Sequence, residues 1–361
     1  MVDLAHLSQG LNGTQRSDVA TSSTITFIFR KRLPNVFSIE KLHDELFHHF
    51  QSAGLAVRRL ELPHTSSGIA SVLRNAWYVA RQRRKGILHI TGDVHYAALL
   101  CPLSPTVITA HDCVVLHRGR GFKRWIFWLL WFRLPFSMAA AIAAVSEQTK
   151  RELQDTVAVP DGKITVIPNF VDREFMFSDR PFAAERPRIL HIGTTPNKNL
   201  TRVIRALHGL RCLLVIVGPL PEDVRRDLDV AGVPFENHVG VDHAALRCLY
   251  QESDIISFPS TYEGFGMPIV EGQAVGRPVL TSDLAPMRDV AGVGGALLVD
   301  PFAVSSIRDG FVALMSDAAL RAALMAAGMI NCRRFSLQTA ADTYAGVYRK
   351  ISGARFRSFD H

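Results

Sequence analysis

The chain has 361 residues, 48% of them hydrophobic and 20% charged, and a formal net charge of +8. That is enough apolar chain for two folded domains and too much for a disordered one, and the basic balance suits acidic partners. Five cysteines (Cys101, Cys113, Cys212, Cys248, Cys332) are odd in number and scattered without Cys-x-x-Cys spacing, which argues for a reducing compartment and against structural zinc.

In chain order, the opening MVDLAHLSQGLNGTQRSDVATSS has no basic-then-apolar design. Residues 1–22 are therefore expected to be a disordered lead-in rather than a signal peptide, and the protein to stay in the cytoplasm. Strands are predicted at TITFIFR, LAVRRLEL, GILHITG, TVITAHD, AIAAVS and ITVIPN, then, after a break, at RILHIGT, CLLVIVG, ISFPS, PVLTS and ALLVD. Amphipathic segments such as SIEKLHDELFHHFQSAG and NLTRVIRALHG lie between them, so the strands should form parallel sheets covered on both faces. Two such series imply two doubly wound α/β domains, with a cleft beyond the carboxyl ends of the strands. The break, Asn169 to Pro187, is rich in charge and proline and reads as an interdomain linker. A Rossmann oxidoreductase needs a Gly-x-Gly-x-x-Gly turn after its first strand, and FIFRKRLPNVFS has no glycine there.

In the first series, TVITAHD puts His111 and Asp112 at a strand end, where they would face the cleft. His89 and His95 have weaker claims. The following RGRGFKRWIFWLLWFRLPFSMAAAIAAV joins Arg118, Arg120, Lys123 and Arg124 to Trp125, Trp128, Trp131 and Phe132. Arg133, Pro135 and Ser137 interrupt it, which argues against a membrane span. Two readings stay open: an interfacial helix docking on an anionic membrane surface, and a hydrophobic helix packed on the sheet. No recognised nucleic-acid motif organises the basic residues.

In the second series, Asp227 and Asp229 in RRDLDVAG read as a solvated helical face, not a metal site. The stretch STYEGFGMPIVEGQAVGRPV, residues 260–279, is more informative. A strand ends at Pro259, a helix starts at Met267–Pro268 and stops at Gly276, and Gly264 and Gly266 lie in the turn between. Such a turn lets an anion approach the backbone at a helix start, so a diphosphate fits there. Glu263 before the turn and Glu271 about one turn into the helix are placed to accept hydrogen bonds from sugar and ribose hydroxyls on either side of it.

These residues resemble a family. EGFGMPIVE is similar to the Glu-x7-Glu motif of the nucleotide-sugar-dependent retaining glycosyltransferases of GT-B fold, the "group 1 / family 4" type that includes bacterial mannosyltransferases. HIGTTPNKNL resembles that family's donor loop, VSEQTKREL a strand-helix junction, VIPNFVD the entry to the linker, and VGVDHAALRCLYQESDIISFPS the helix and strand before the motif. The match runs from about Thr24 onward. It implies two Rossmann-like domains facing a cleft: residues 23–172 on the acceptor side, a linker at 173–187, and a nucleotide-sugar-binding domain at 188–335. A last helix over about 336–352 is expected to pack back on the first domain.

The resemblance also implies roles. Glu271 would accept the ribose hydroxyls and Glu263 those of the donor sugar. Lys198 would neutralise the diphosphate, which the backbone N–H groups around Gly264, Phe265, Gly266 and Met267 would also meet. His111 and Asp112 would lie near the sugar and the leaving group. The donor loop, Gly193, Thr194, Thr195 and Lys198, departs from the pattern, because threonines stand where the family usually has an arginine; the threonine hydroxyls, the helix start at Asn199 or Arg202 are the substitutes to consider. The implied reaction moves a hexose-type sugar from a UDP- or GDP-linked donor to a glycan or lipid-linked acceptor, with retention, no metal and no cofactor, in cell-surface polysaccharide synthesis. The expected location is the cytoplasm, peripheral on the inner face of the cytoplasmic membrane if the basic, aromatic segment is the interfacial helix rather than the packed one. A catalytically silent nucleotide-sugar-binding or scaffold protein is the alternative.

Overall fold

The computed structural model describes residues 24–31, 38–82, 86–102, 104–113 and 122–352. The lead-in 1–22, Arg118, Arg120 and the side chain of Lys123 lie outside them. Twelve strands occur in the described residues: β1 (Thr24–Phe29), β2 (Val57–Glu61), β3 (Gly86–Ile90), β4 (Thr106–Ala110), β5 (Ala141–Ala144), β6 (Ile164–Val166), β7 (Arg188–Ile192), β8 (Leu213–Val217), β9 (Phe235–His238), β10 (Ile255–Phe258), β11 (Val279–Ser282) and β12 (Leu297–Val299). The first six form one parallel sheet in the order β2-β1-β3-β4-β5-β6, the last six another in the order β12-β11-β10-β7-β8-β9.

Both sheets are covered on both faces, which is why their inner strands are mostly buried on both sides rather than alternating, while the edge strands β2 and β9 carry polar residues. In β1, Ile25, Phe27 and Phe29 join the core under the helices Ser38–Ser52 and Leu337–Ser352, while Ile28 faces the opposite layer with Tyr96, Phe132 and Phe136. In the second sheet, Ile189, Ile255 and Leu280 face one layer and Leu190, Ile256 and Val279 the other. One strand was not expected from the sequence. In β9, FENH, only Phe235 is apolar; it is a half-exposed edge strand paired with β8 alone, so no buried run announces it.

The segment Phe122–Met138 packs on the first core along one side and leaves apolar residues exposed along another. Its central turn, Trp128–Arg133, is a wider π-helix between two short α-helices. Phe132 and Phe136 are buried, and Phe127, Trp128 and Trp131 pack on the same core, with the Trp128 indole donating to the Thr156 carbonyl at 2.9 Å. Trp125, Ile126, Leu134 and Met138 stay exposed. No single helix among the described residues is long and apolar enough to cross a membrane.

The chain crosses between the two sheets twice, side by side. Phe170 belongs to the first core and Phe175 to the second; Phe335 belongs to the second and Leu337 to the first. The Val171 N–H donates to the Phe335 carbonyl where the passages meet. The helix Leu337–Ser352 then closes the first core, where the Tyr348 hydroxyl meets His89 Nδ1 at 2.7 Å and the Tyr344 hydroxyl meets Thr109 at 2.9 Å. His89 is thus a fully buried core residue, its other ring nitrogen on Thr109, and burial pushes its pKa well down. His95 is likewise internal, against Phe132 and Phe136 with Nδ1 at the Trp131 carbonyl, and is pushed down to about 4 by burial.

Candidate functional site

In the second sheet the strand order reverses between β7 and β10, and the crevice beyond their carboxyl ends is where an open α/β sheet binds ligands. The loop leaving β7 turns at Gly193, whose φ of 92° suits glycine; a Cβ there would lie 2.8 Å from the Lys198 side chain, which crosses over it. A 3₁₀ turn, Pro196–Lys198, then aims Lys198 across the crevice. Its Nζ donates to Glu263 Oε1 at 2.7 Å and lies 4.7 Å from the centre of the Phe258 ring. Asn197 Nδ2 reaches the Tyr262 carbonyl at 3.0 Å and Glu263 Oε1 at 3.3 Å. The donor loop and the Glu263 loop, 65 residues apart in sequence, thus meet through one carboxylate oxygen.

Glu271 occupies the other side. It sits in the helix Met267–Val275, which Gly266 caps and Pro268 opens, and Tyr250 donates to its Oε2 at 2.5 Å. Glu271 keeps some accessible surface, yet its surroundings are desolvating enough to push the carboxyl up to about 7, against the opposing hydrogen bond from Tyr250. Phe265 is buried against Phe335, and the partly buried Met267 packs against both domains' cores.

The first domain reaches the same crevice through the end of β4. His111 Nε2 lies 2.9 Å from the Thr91 carbonyl and therefore carries the proton; burial lowers the ring's pKa, so it is neutral at pH 7. Its Nδ1 is buried with no hydrogen-bond partner among the described residues. Gly264 packs directly on this strand end: a Cβ on it would sit 1.7 Å from the His111 carbonyl oxygen and 3.0 Å from the Asp112 Cβ. Only glycine fits there, and the reason is contact rather than backbone angle.

The threonines that replace the expected arginine do not face Lys198. The Thr194 hydroxyl donates to the Pro219 carbonyl and that of Thr195 to Asn197 Oδ1. Arg202 does not fill the gap either. Its Nη1 donates to Asn199 Oδ1 at 2.9 Å, and Asn199, buried at φ 66°, ties down the Pro259 and Pro301 carbonyls.

Sequence reasoning missed several contributors. Tyr250, Asn197, Tyr262 and Glu152 carry no motif of their own. Tyr262 donates to Glu152 Oε2 at 2.6 Å and accepts the Cys113 N–H at 3.2 Å, joining the loop before Glu263 to the helix Glu147–Val157 and to the segment after Asp112. The Thr149 hydroxyl donates to the Gly264 carbonyl at 3.3 Å beside it. Of the acidic residues considered for a metal, Asp227 and Asp229 lie on the helix Glu222–Ala231, Asp229 exposed. Asp172, Glu174 and His243 do bring ligand atoms within 4.8 Å of one another, but Lys41 pairs with Asp172, and Arg247 holds Glu174 at 2.7 Å. Cations of the protein's own already occupy that cluster.

Two sheets of this topology with a ligand crevice at the second switch point define a GT-B glycosyltransferase fold. A glycosyltransferase of Rickettsia africae shares it with a TM-score of 0.73 at 17% identity, over 92% of this chain and all of its own. HepE of Anabaena, solved with UDP and glucose, does so at 0.71 and 16%, over 91% of this chain and all of its own. Residues 39–175 match the Glycosyltransferase Family 4 model and residues 186–317 the model "Glycosyl transferases group 1". The chain belongs to this glycosyltransferase family. Among similar sequences, the O-antigen chain mannosyltransferase RfbU of Salmonella typhimurium is 24% identical over 54% of this chain and 56% of its own length. The phosphatidyl-myo-inositol mannosyltransferase of Mycobacterium leprae is 30% identical over 52% and 53%. The chain spans about half the length of these curated relatives.

Proposed function

We propose that this protein transfers a hexose-type sugar from a UDP- or GDP-linked donor to a glycan or lipid-linked acceptor, with retention at the anomeric carbon and without a metal, in cell-surface polysaccharide synthesis. The observation that carries it is the crevice between Lys198–Glu263 on one side and Glu271–Tyr250 on the other, with a helix start between. Glu271 then accepts the ribose hydroxyls, the helix start and Lys198 take the diphosphate, and Glu263, released from Lys198, accepts hydroxyls of the sugar. His111 offers Nδ1 as an acceptor beside the sugar, and Asp112 lines the same edge. The bond from the anomeric carbon to the phosphate oxygen breaks as the bond to the acceptor oxygen forms on the same face. The acceptor proton passes to the departing phosphate, whose charge Lys198 meets. Retention and the front-face path rest on the family resemblance. The names of the relatives, two of them mannosyltransferases, support the substrate class.

The test is release of nucleoside diphosphate from a panel of UDP- and GDP-sugars, with thermal stabilisation followed in parallel and product anomers assigned by NMR. The loop without arginine favours one rival, a silent nucleotide-sugar-binding protein. Stabilisation by a nucleotide sugar with no turnover on any acceptor would select that rival, and an inverted product would refute retention. Abolition of turnover by EDTA with rescue by Mn²⁺ would overturn the metal-free reading.

For a lipid-linked acceptor we place the protein at the cytoplasmic leaflet, on the face that carries Arg124 and Trp125. A neighbouring element, the helix Ile69–Gln82, also has an outward stripe, formed by Ile69, Leu73 and Trp77, which are 80, 59 and 55% exposed, with Arg81 stacked on Trp77. Asn75 of that helix bonds the Tyr96 hydroxyl, and the Tyr96 ring packs on Trp131, so the two segments are neighbours. Binding to anionic vesicles that falls with salt and with Trp77→Glu/Trp125→Glu is expected. Equal sedimentation of the folded variant and the wild type would reject the docking face.

A further inference from the structure

At the amino-terminal ends of β10 and β11, opposite the crevice just described, lies a cavity of about 180 Å³. Its walls are Arg180 and Phe182 of the segment between the sheets, Asp254 and Arg277 at the strand starts, and Ala318 and Arg321 in the first turns of the helix Ala318–Cys332. Three guanidinium groups therefore border it against one carboxylate.

That carboxylate is already engaged. Asp254 Oδ2 accepts the Arg188 N–H at 2.7 Å and Oδ1 the Ala183 N–H at 3.1 Å, with Arg180 Nε 3.6 Å from Oδ1. Arg277 is only 4% exposed, and its Nη atoms donate to carbonyl groups alone, those of Ser178, Val275, Gly276 and Gln251. Its Nε has no acceptor among the described residues. Burial and the neighbouring Arg180 lower the Arg277 pKa, with Asp254 and Asp179 opposing them, but a guanidinium stays protonated at neutral pH and its field is strong in a low-dielectric wall. Arg321 lies 3.7 Å over the Phe182 ring, with Nη1 on the Leu314 and Met315 carbonyls, so its plane is fixed and its remaining edge is preset. The start of the helix Ala318–Cys332 lies at the same wall, with the Asp317 carboxylate accepting its Leu320 N–H at 2.9 Å.

We propose that this cavity is a binding site for a phosphate group, free or as the terminal group of a small metabolite, held by Arg180 and Arg321 in the field of the buried Arg277. The site lies at the far end of the strands from the donor crevice, and two of its walls come from the segment joining the domains. Its occupant would therefore tie that segment to the second domain.

The test begins with a Lys198→Ala background, which weakens phosphate binding in the donor crevice. Sodium phosphate is expected to raise the melting temperature saturably beyond sodium chloride of equal ionic strength, and Arg180→Gln/Arg321→Gln to weaken that binding at least about tenfold, the scale of one charge-assisted hydrogen bond. An identical shift in the double variant, or no shift beyond chloride in the parent, overturns the proposal. A second measurement needs no substitution at the site: phosphate should slow phenylglyoxal modification of Arg180 and Arg321 in the wild-type protein, as mapped by peptide mass spectrometry. Unchanged modification rates also overturn it. Protection at lower concentration by a hexose 1-phosphate than by inorganic phosphate would identify the ligand as esterified, and the reverse order as the free ion.

Discussion

Glu271 is a carboxyl in a desolvating corner, so it holds its proton up to about pH 7 rather than to its ordinary value of 4.5. The folded state then binds a proton that the unfolded chain releases, and the stability this contributes is complete below pH 4.5 and is lost as pH rises through about 7. Ligand-free protein should accordingly lose stability across that window, and Glu271→Gln should flatten that part of the profile in urea titrations at successive pH values. Ribose hydroxyls need the ionised acceptor, so nucleotide binding near pH 6.5, roughly the middle of the upper half of that window, should expel this proton. Calorimetry in two buffers of different ionisation enthalpy is expected to show more proton release for the wild type than for Glu271→Gln; equal release would remove Glu271 from the ribose. Lys198 belongs to the developing charge instead. Lys198→Ala is expected to cost on the order of 10²-fold in kcat, the loss that follows removal of one oxyanion donor, and a kcat within about twofold of wild type would assign the leaving group to other residues.

The contact between the Glu263 loop and the helix Glu147–Val157 sets how the two domains present their groups to each other. Tyr262 bridges Glu152 and the Cys113 N–H through a half-buried, charge-assisted hydrogen bond that sets the reacting geometry, worth roughly tenfold in rate. Tyr262→Phe and Glu152→Gln should lower kcat by about that factor and leave the nucleoside diphosphate Kd unchanged. An equal rise in Kd would make the bridge a binding element. This level of organisation was the least legible in the sequence. The strands were readable because both-face burial makes them apolar runs, and β9 was missed because FENH at an edge buries too little to leave that trace. Glu263, Glu271 and Lys198 could be found because glycine, proline and charge cluster at strand ends in an order that resembles a family. Tyr250 and Glu152 could not, since each is an ordinary residue on an amphipathic helix whose partner lies 21 or 110 positions away. In the sequence Gly264 belongs to a turn that lets an anion approach the backbone; the structure adds that it is the point where one domain rests on the His111 carbonyl of the other.

For the whole molecule, the paired passages at Val171 and Phe335 are the narrow place between two independently cored halves. The second half is contiguous in sequence. The first is not, because Leu337, Ala341, Tyr344 and Tyr348 fill the core beneath β1, β3 and β4. Removing several large apolar side chains from a core costs a few kcal/mol for each, a large part of a domain's stability. A chain ending at residue 335 is therefore expected to lose the cooperative unfolding of its first half and to bind ANS, while residues 188–332 keep a separate transition in calorimetry; a single unchanged transition would show the helix to be dispensable. During synthesis the order of events is set by this return. β1 leaves the ribosome early but waits for the helix Leu337–Ser352, made after the whole second half, before its hydrophobic underside is sealed. The half made first is the half finished last, and any aggregation during expression should begin on that unsealed surface.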